Sequence, residues 1–525
     1  LHLPGARAGD EGNHARLALT KRYALNLKNN IRLPQKNRGY LPEFVVSLKC
    51  MKTFRLLLSL TLLGLCIRHA NAQNSTLYAG IAQLNITPAV GYPHYRDFGT
   101  AVNDSLYVKT VVFHQGNQKW AIAVCDLLWI ERALSSEVRV AVAEQTGIPY
   151  EHIFLTATHT HTGPAYHSNI FELNNHNRKN TLSEEDAVGK GGYPTFLTNQ
   201  IIQSFVEANQ SAVPVTVKSA SDTLRDVAFN RRFILKDGKV RTNPGRGNRD
   251  IVRAAGPVDP DLEMLLIEKK SDRSILGFIT NFAVHSDTYG GTAFHPDYPG
   301  ILANKLADRY GKNVVSLFWM GASGDLNHID VRKNGVVLKT ETIAQRLSEK
   351  IIKKQPAMLP VSSPALSASS EFVYAPLQTY LPEELNWAKD RSGGAKYGET
   401  GLFQLRRPMK IRSLERIRNT EAIPPTVESE PWILPVEVQV FRLSNDVAIV
   451  GLPGEIFSEL ALTIKRTSPF KKTIVVELTN SHIAYVPTRK AFAQGSYETL
   501  NSRLAPGGGE LMVESAMRQL KALKK

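Results

Sequence analysis

The sequence predicts a mixed, layered α/β domain. From Leu77 onward, short apolar strands alternate with amphipathic helical stretches. No repeat period and no low-complexity block breaks this texture over 525 residues. A composition of 42% hydrophobic and 21% charged residues supplies the apolar surface for a sizeable core.

In chain order, residues 1–50 begin without Met, and Met51 then opens MKTFRLLLSLTLLGLCIRHANAQ. Lys52 and Arg55, the apolar run from Leu56 to Ile67, and Ala70-Asn71-Ala72 form the three parts of a secretory signal. The run is shorter than the ~18 residues needed to span a bilayer, so no transmembrane anchor is expected after cleavage. Signals stand at true N-termini. Residues 1–50 are therefore expected to be a spurious upstream extension, 51–72 the signal, and the mature protein secreted or periplasmic.

The formal charge of +16 raises the question of nucleic acid, but much of it sits at the start. Residues 1–72 carry 12 Lys and Arg against 3 Asp and Glu, leaving 52 against 45, a net +7, in the remainder. With no interleaving of basic and aromatic residues, nucleic-acid binding is excluded as the leading function. Cys50 and Cys66 fall in the early segment, so Cys125, within AIAVCDLLWI, is expected to be a lone core residue.

Strands are expected in VKTVVFH, KWAIAVCDLLWI, HIFLTATH, ILGFITNFAVH and NVVSLFWMG. Helices are expected over Ser135 to Gln145, Pro194 to Asn209, Gly300 to Tyr310 and Lys339 to Lys354. Residues 77–365 thus form the first part of the domain. Residues 366–425 read as a helical insert or linker, with a polar helical stretch from Leu381 to Thr420 that ends at Ile423-Pro424-Pro425. Residues 426–525 form the second part of the same domain. It is strand-rich through VEVQVFRLSNDVAIVGLPGE and TIVVELTN, with a hairpin turn at Ser444-Asn445-Asp446 and a closing basic helix.

Polar residues collect where apolar strands end. LTATHTHTGP brings His159 and His161, two apart, a spacing that puts both on one face of an extended strand. Alone, they read more readily as hydrogen-bonded residues of a polar loop than as a metal site. NFAVHSDTYGGTAFHPD brings His285, with Asp287, His295 and Asp297 as residues able to orient imidazoles. MGASGDLNH brings Asp325, Asn327 and His328, and GLPGE brings Glu455, where a helix dipole would also favour a carboxylate. A His/His/carboxylate set leaves an open zinc position for water and points to hydrolase chemistry.

Taken in order, THTHTGP, NFAVH, GASGD, LPGE and SHIAYVPT resemble the neutral/alkaline ceramidases, as do GIAQLNITP and NDSLYVKTVVF near the start. The resemblance spans roughly residues 78–500 and implies hydrolysis of an N-acyl amide with one Zn2+ per chain. It implies His159, His285, Glu455 and Tyr485 as zinc ligands and His161 as their partner. It also implies Arg231, in VAFNRRF, facing substrate, and Tyr497, in GSYE, stabilising the developing oxyanion. Asp325 joins His161 in handling protons.

Two departures follow from the same resemblance. Gly324-Asp325-Leu326-Asn327 places Asn327 where the family has a serine, so no acyl-enzyme is expected there. Few residues follow Tyr485, so the family's C-terminal immunoglobulin-like sandwich is expected to be absent. The substrate is accordingly a lipid or small-molecule N-acyl compound. The rivals are a zinc hydrolase of a non-lipid amide or ester, and a catalytically inactive secreted binding protein on the same fold.

Overall fold

Several central strands are apolar on both faces, and such strands must be covered from both sides. The computed structural model describes residues 76–166, 192–331, 336–390, 399–427 and 430–525. The expected extension and signal lie outside the described residues, as do residues 391–398 of the expected insert.

The first sheet contains β1 (Leu77–Asn85), β2 (Tyr107–Gln115), β3 (Gln118–Cys125), β4 (Ile153–Ala157) and β5 (Val213–Thr223). It is completed by β6 (Asp261–Lys269), β7 (Ile275–Phe282) and β8 (Val315–Met320). Their order is β8-β7-β6-β5-β1-β2-β3-β4, with Leu359–Pro360 also paired to β5. The pairs are antiparallel except at the two edges, where β3 runs parallel to β4 and β7 to β8. Each parallel pair needs a crossover, and helices supply it. α1 (Arg132–Thr146) joins β3 to β4, α2 (Gly192–Gln210) precedes β5, and α3 (Asp297–Tyr310) joins β7 to β8. α4 (Thr340–Lys354) follows β8.

The second sheet has the order β9 (Pro364–Pro376), β10 (Ile433–Ser444), β11 (Val447–Gly451), β13 (Lys472–Val476). Between the last two, a short β12 (Glu455–Ile456) and α7 (Ser458–Thr467) make the crossover. α5 (Pro382–Asp390) and α6 (Glu399–Thr420) lie between β9 and β10. β14 (Tyr485–Val486), α8 (Arg489–Gln494), α9 (Tyr497–Asn501) and α10 (Gly508–Lys524) close the chain. The expected hairpin at Ser444-Asn445-Asp446 is formed by β10 and β11.

Strand alternation sorts the core into three layers. On β3, Ala121, Ala123 and Cys125 face α1 to α4, with Val138, Leu197, Leu302 and Leu347 in the same cluster. Trp120, Ile122 and Val124 face the other way and meet Phe441, Val447 and Ile449 of the second sheet. The outer face of that sheet, including Val438 and Val450, packs with Leu460, Met512 and Leu520 of the helices beyond it. The architecture is therefore helices, sheet, sheet, helices. Cys125 is a buried free thiol in the first of these layers, as expected.

Aromatic rings fill the seam between the sheets. Trp120 meets Phe113 at 4.6 Å and Phe441 at 5.3 Å, and Phe154 stacks on Phe441 at 5.1 Å. Such pairs contribute about 0.5–1.5 kcal/mol each beyond area burial. At one end of the seam Arg139 of α1 makes a bidentate ion pair with Glu437 of β10, at 2.7 and 2.8 Å. The pair is buried, so its value lies in fixing where the sheets meet rather than in net stabilisation.

Candidate metal centre

Strands β4, β7, β8, β11 and β13 all end on one side of the seam, and their ends are tied together by the backbone. Gly321 N donates to Phe282 O, Glu477 N to Met320 O, and Asn480 N to Leu155 O. Gly324 N donates to Ile456 O and Glu455 N to Ala484 O. A side chain at Gly324 would not fit, because its Cβ would stand 2.4 Å from Glu455 O. This close approach brings the segment after β8 against the segment after β11.

The strand HIFLTATH stops at Ala157, and ILGFITNFAVH stops at Phe282, so the histidines lie beyond the ladders. His159 has φ 64°, left-handed, which departs from the extended geometry expected for the Thr-His-Thr-His run. The turn brings the rings together by another route. The ring of His159 lies 4.8 Å from that of His161 and 4.4 Å from that of His285, and His161 lies 5.1 Å from His285. One ligand-type atom from each of the three lies within 4.8 Å of the others, so this buried cluster can hold a metal ion.

His159 Nδ1 lies 2.7 Å from Leu128 O. With Nδ1–H donating there, Nε2 offers a lone pair, the form a metal takes. That Nε2 stands 3.1 Å from His285 Nε2. Glu455 Oε2 faces both, 3.5 Å from His159 Nε2 and 4.0 Å from His285 Nε2, and is buried without a hydrogen-bond partner. Ligand atoms on a tetrahedral zinc, at about 2.0–2.2 Å, stand about 3.3–3.6 Å apart. The three separations straddle that range, so the residues fit a small cation.

Electrostatics link the three histidines to Glu455. Burial pushes against charge on His159, but the Glu455 carboxylate facing it leaves it raised overall. Burial first, and then charge on His159, hold His161 and His285 well below the ordinary imidazole value, neutral and able to coordinate. Glu455 is lowered overall: burial opposes its charge, while His159, Arg231 and the Tyr485 hydroxyl favour it. A carboxylate kept ionised against burial marks a place that seats positive charge.

Glu455 reaches this position on β12, not at a helix start as its sequence context suggests; α7 begins only at Ser458. The parallel pairing of β12 with β14 sets Glu455 directly opposite Tyr485. Tyr485 in turn packs edge-on to Tyr497, ring centroids 5.6 Å apart. Arg231 lies over both rings, at 5.3 and 5.9 Å. Its guanidinium donates to Glu498 Oε1 at 2.9 Å and to Gly324 O at 2.7 Å. The structure therefore brings His159, His161, His285, Glu455, Tyr485, Tyr497 and Arg231 into one neighbourhood.

Other sequence candidates take supporting places. Asp325 accepts from Ser458 N at 2.9 Å, Ser458 Oγ at 2.8 Å and Asn230 Nδ2 at 2.7 Å. Asn327 bonds Asn243 at 2.7 Å. Asp287 pairs with Arg96, His295 stacks on Tyr289 at 3.8 Å, and Asp297 accepts from the Thr288 and Tyr289 amides. These groups build the loop. Its backbone carbonyl at His295 accepts from Thr160 and Thr162, which flank His161.

Two carboxylates escaped the sequence reading. Glu477 accepts from Ser323 Oγ at 2.6 Å and Ile456 N at 2.7 Å, next to Glu455, and burial pushes it up to about 8. Its signal was the one used elsewhere, an acid directly after the apolar run TIVV. Glu498 sits beside Tyr497 and takes Arg231, Arg232 at 2.8 Å and Thr242 at 2.7 Å. Nothing in its local sequence reveals that role.

Comparison with known proteins gives the same direction. Residues 81–294 match the family described as neutral/alkaline non-lysosomal ceramidase, N-terminal. Among solved structures the chain is similar to the neutral ceramidase from Pseudomonas aeruginosa, with 17% identity and a TM-score of 0.63 over 86% of this chain and 75% of that one. It is also similar to a ceramidase complexed with C2, with 18% identity and a TM-score of 0.62 over 86% and 76%. No curated protein sequence matches. At such identities the structural likeness speaks for the fold. Residues 81–294 are thus similar to the N-terminal part of the neutral/alkaline ceramidases, and the chain as a whole has a fold similar to that of the solved neutral ceramidase.

Proposed function

We propose that the chain is a secreted, zinc-dependent amidohydrolase that cleaves an N-acyl amide, ceramidase-like in converting an N-acylated long-chain base to fatty acid and free amine. His159, His285, Glu455 and Tyr485 would hold one Zn2+. The observation that carries this reading is the unpartnered Glu455 Oε2 facing two imidazole nitrogens that stand 3.1 Å apart. The similarity of residues 81–294 to the N-terminal part of neutral/alkaline ceramidases supports the hydrolase class. Export rests on the signal pattern from Met51 to Ala72. Among the described residues no helix is long and apolar enough to cross a membrane.

Bound zinc supplies Lewis acidity toward the amide carbonyl and lowers the pKa of water. His161, against both other imidazoles, takes the proton from the attacking water and returns it to the amide nitrogen as the C–N bond breaks. Tyr497 donates to the carbonyl oxygen as negative charge builds there. Arg231, anchored by Glu498, holds the two tyrosine rings and presents positive charge to the substrate's polar head. Asp325 braces this arrangement through Asn230 and Ser458. Water and amide are consumed, and a carboxylic acid and an amine leave.

The purified mature protein is expected to carry one zinc by elemental analysis. It should turn over members of a panel of ceramides, acyl amino acids and acylated sugars, read by mass spectrometry. Chelator and His159→Ala should each remove that turnover. Protein without stoichiometric zinc, or turnover indifferent to both treatments, would sink the reading.

A further inference from the structure

The helices between β9 and β10 bring cations to the edge of this site that the reaction outlined above does not use. Arg406 of α6 lies over the ring of Tyr497, 5.4 Å from its centroid, and its buried Nε has no hydrogen-bond partner. Its charge also reaches Tyr95, where it offsets part of the upward push of burial on the phenol. Tyr95 packs edge-on to His161, ring centroids 5.3 Å apart. Arg406 therefore borders the oxyanion tyrosine directly, and its charge reaches the tyrosine that packs on the proton-transfer histidine.

Arg503 and Lys410 stand behind it, both buried. Arg503 donates to Ser413 Oγ at 2.8 Å and to Asn501 O at 2.6 Å, and Lys410 donates to Gln378. Burial, with Arg416 and Arg406 nearby, pulls Arg503 down to about 10. The neighbouring acids are taken. Glu384 holds Arg407 at 2.7 Å, and Glu421 holds Arg416 at 3.4 Å and Arg132 at 2.7 Å. Among the described residues, no carboxylate pairs with Arg406, Lys410 or Arg503. Buried or half-buried cations without a counter-charge are costly unless an anion joins them, and a guanidinium fork suits a carboxylate or phosphate.

We propose that Arg406, backed by Arg503, is a specificity-determining subsite for an anionic head group, so that the preferred substrate is an N-acyl amide bearing a carboxylate or phosphate. This rests on the amidohydrolase reading above and narrows its substrate. The shared chemistry is the anion, and its two sources are an N-acyl amino acid and a phosphorylated N-acyl long-chain base.

Two matched pairs test it on the zinc-loaded full chain: N-dodecanoylglycine against N-dodecanoylethanolamine, and ceramide 1-phosphate against ceramide. At least one anionic member should exceed its neutral partner tenfold or more in kcat/KM, and the pair that does so names the source. Arg406→Gln should bring that ratio to within twofold of unity, through KM, while Arg406→Lys restores most of it. Turnover of the neutral amides with no anionic preference, or a preference that Arg406→Gln leaves in place, overturns the subsite and leaves amide hydrolysis standing. No turnover on any arm overturns the hydrolase reading itself, and the subsite with it.

Discussion

The two sheets meet along a seam whose interior and whose rim obey different rules. Inside, Trp120, Phe154 and Phe441 exclude water and make no demand on chemistry. At the rim, a few residues further along some of the same strands, the side chains are buried yet polar, and they converge from several elements around a Glu455 oxygen that has no hydrogen-bond partner. The histidines come from the first sheet's strand ends, and Glu455 and Tyr485 come from the second sheet's side. The three histidines meet on the first sheet's side, and the proposed four-ligand set is completed only where the second sheet docks against it.

If interior and rim are separable, mutations should sort by what they cost. The largest effect is expected inside: Trp120→Ala should lower unfolding free energy by about 3–5 kcal/mol in a denaturant titration. Its metal stoichiometry should survive wherever the protein remains folded. Loss of metal at a denaturant concentration where circular dichroism is still native would break the separation.

At the rim, Glu477→Ala removes the acceptor for Ile456 N and Ser323 Oγ directly behind Glu455. Metal affinity should fall ~10–100-fold, the range for groups that orient ligands. Glu477→Gln should recover most of it, because burial pushes the carboxyl up to about 8, and an amide can keep the acceptor for Ile456 N while its NH2 donates to the Ser323 hydroxyl. Competition with a chromophoric chelator reads both variants, and an unchanged affinity in Glu477→Ala would remove Glu477 from the site.

The smallest effect belongs to the ion pair at the end of the seam. Burial pushes the Glu437 carboxyl up, but Arg139 and the Ser370 hydroxyl together hold it below the usual carboxylate range. A depressed carboxylate contributes stability that is present above its unfolded pKa of about 4.3 and is lost as pH falls through the folded value. Ser370→Ala removes one bond to Glu437 and should cost about 0.5–1.5 kcal/mol at neutral pH. It should also move the onset of acid unfolding to higher pH. An onset that stays put would mean that Ser370 contributes nothing to the pair.

Much of this was legible in the chain. Apolar runs such as AIAVC and SLFWM become strands buried on both faces, and the helices run within a few residues of their expected bounds. What period and composition do not encode is how chain ends meet. The left-handed turn at His159 is set by contacts from Leu128 and the His295 loop, which lie far away in sequence. The register that sets Glu455 opposite Tyr485 comes from a two-residue pairing too short to leave a pattern. The burial of Arg231 against Glu498, far away in sequence, leaves no local pattern either.

The long interval of chain from His159 to Tyr485 has a kinetic meaning. Neither sheet can complete the proposed four-ligand set alone, so tight metal uptake would have to wait for contacts between residues far apart in sequence, the slowest kind to form. On the proposed reading, metal capture would report the end of folding, and a chain exported as proposed would acquire its ion only after the sheets have closed.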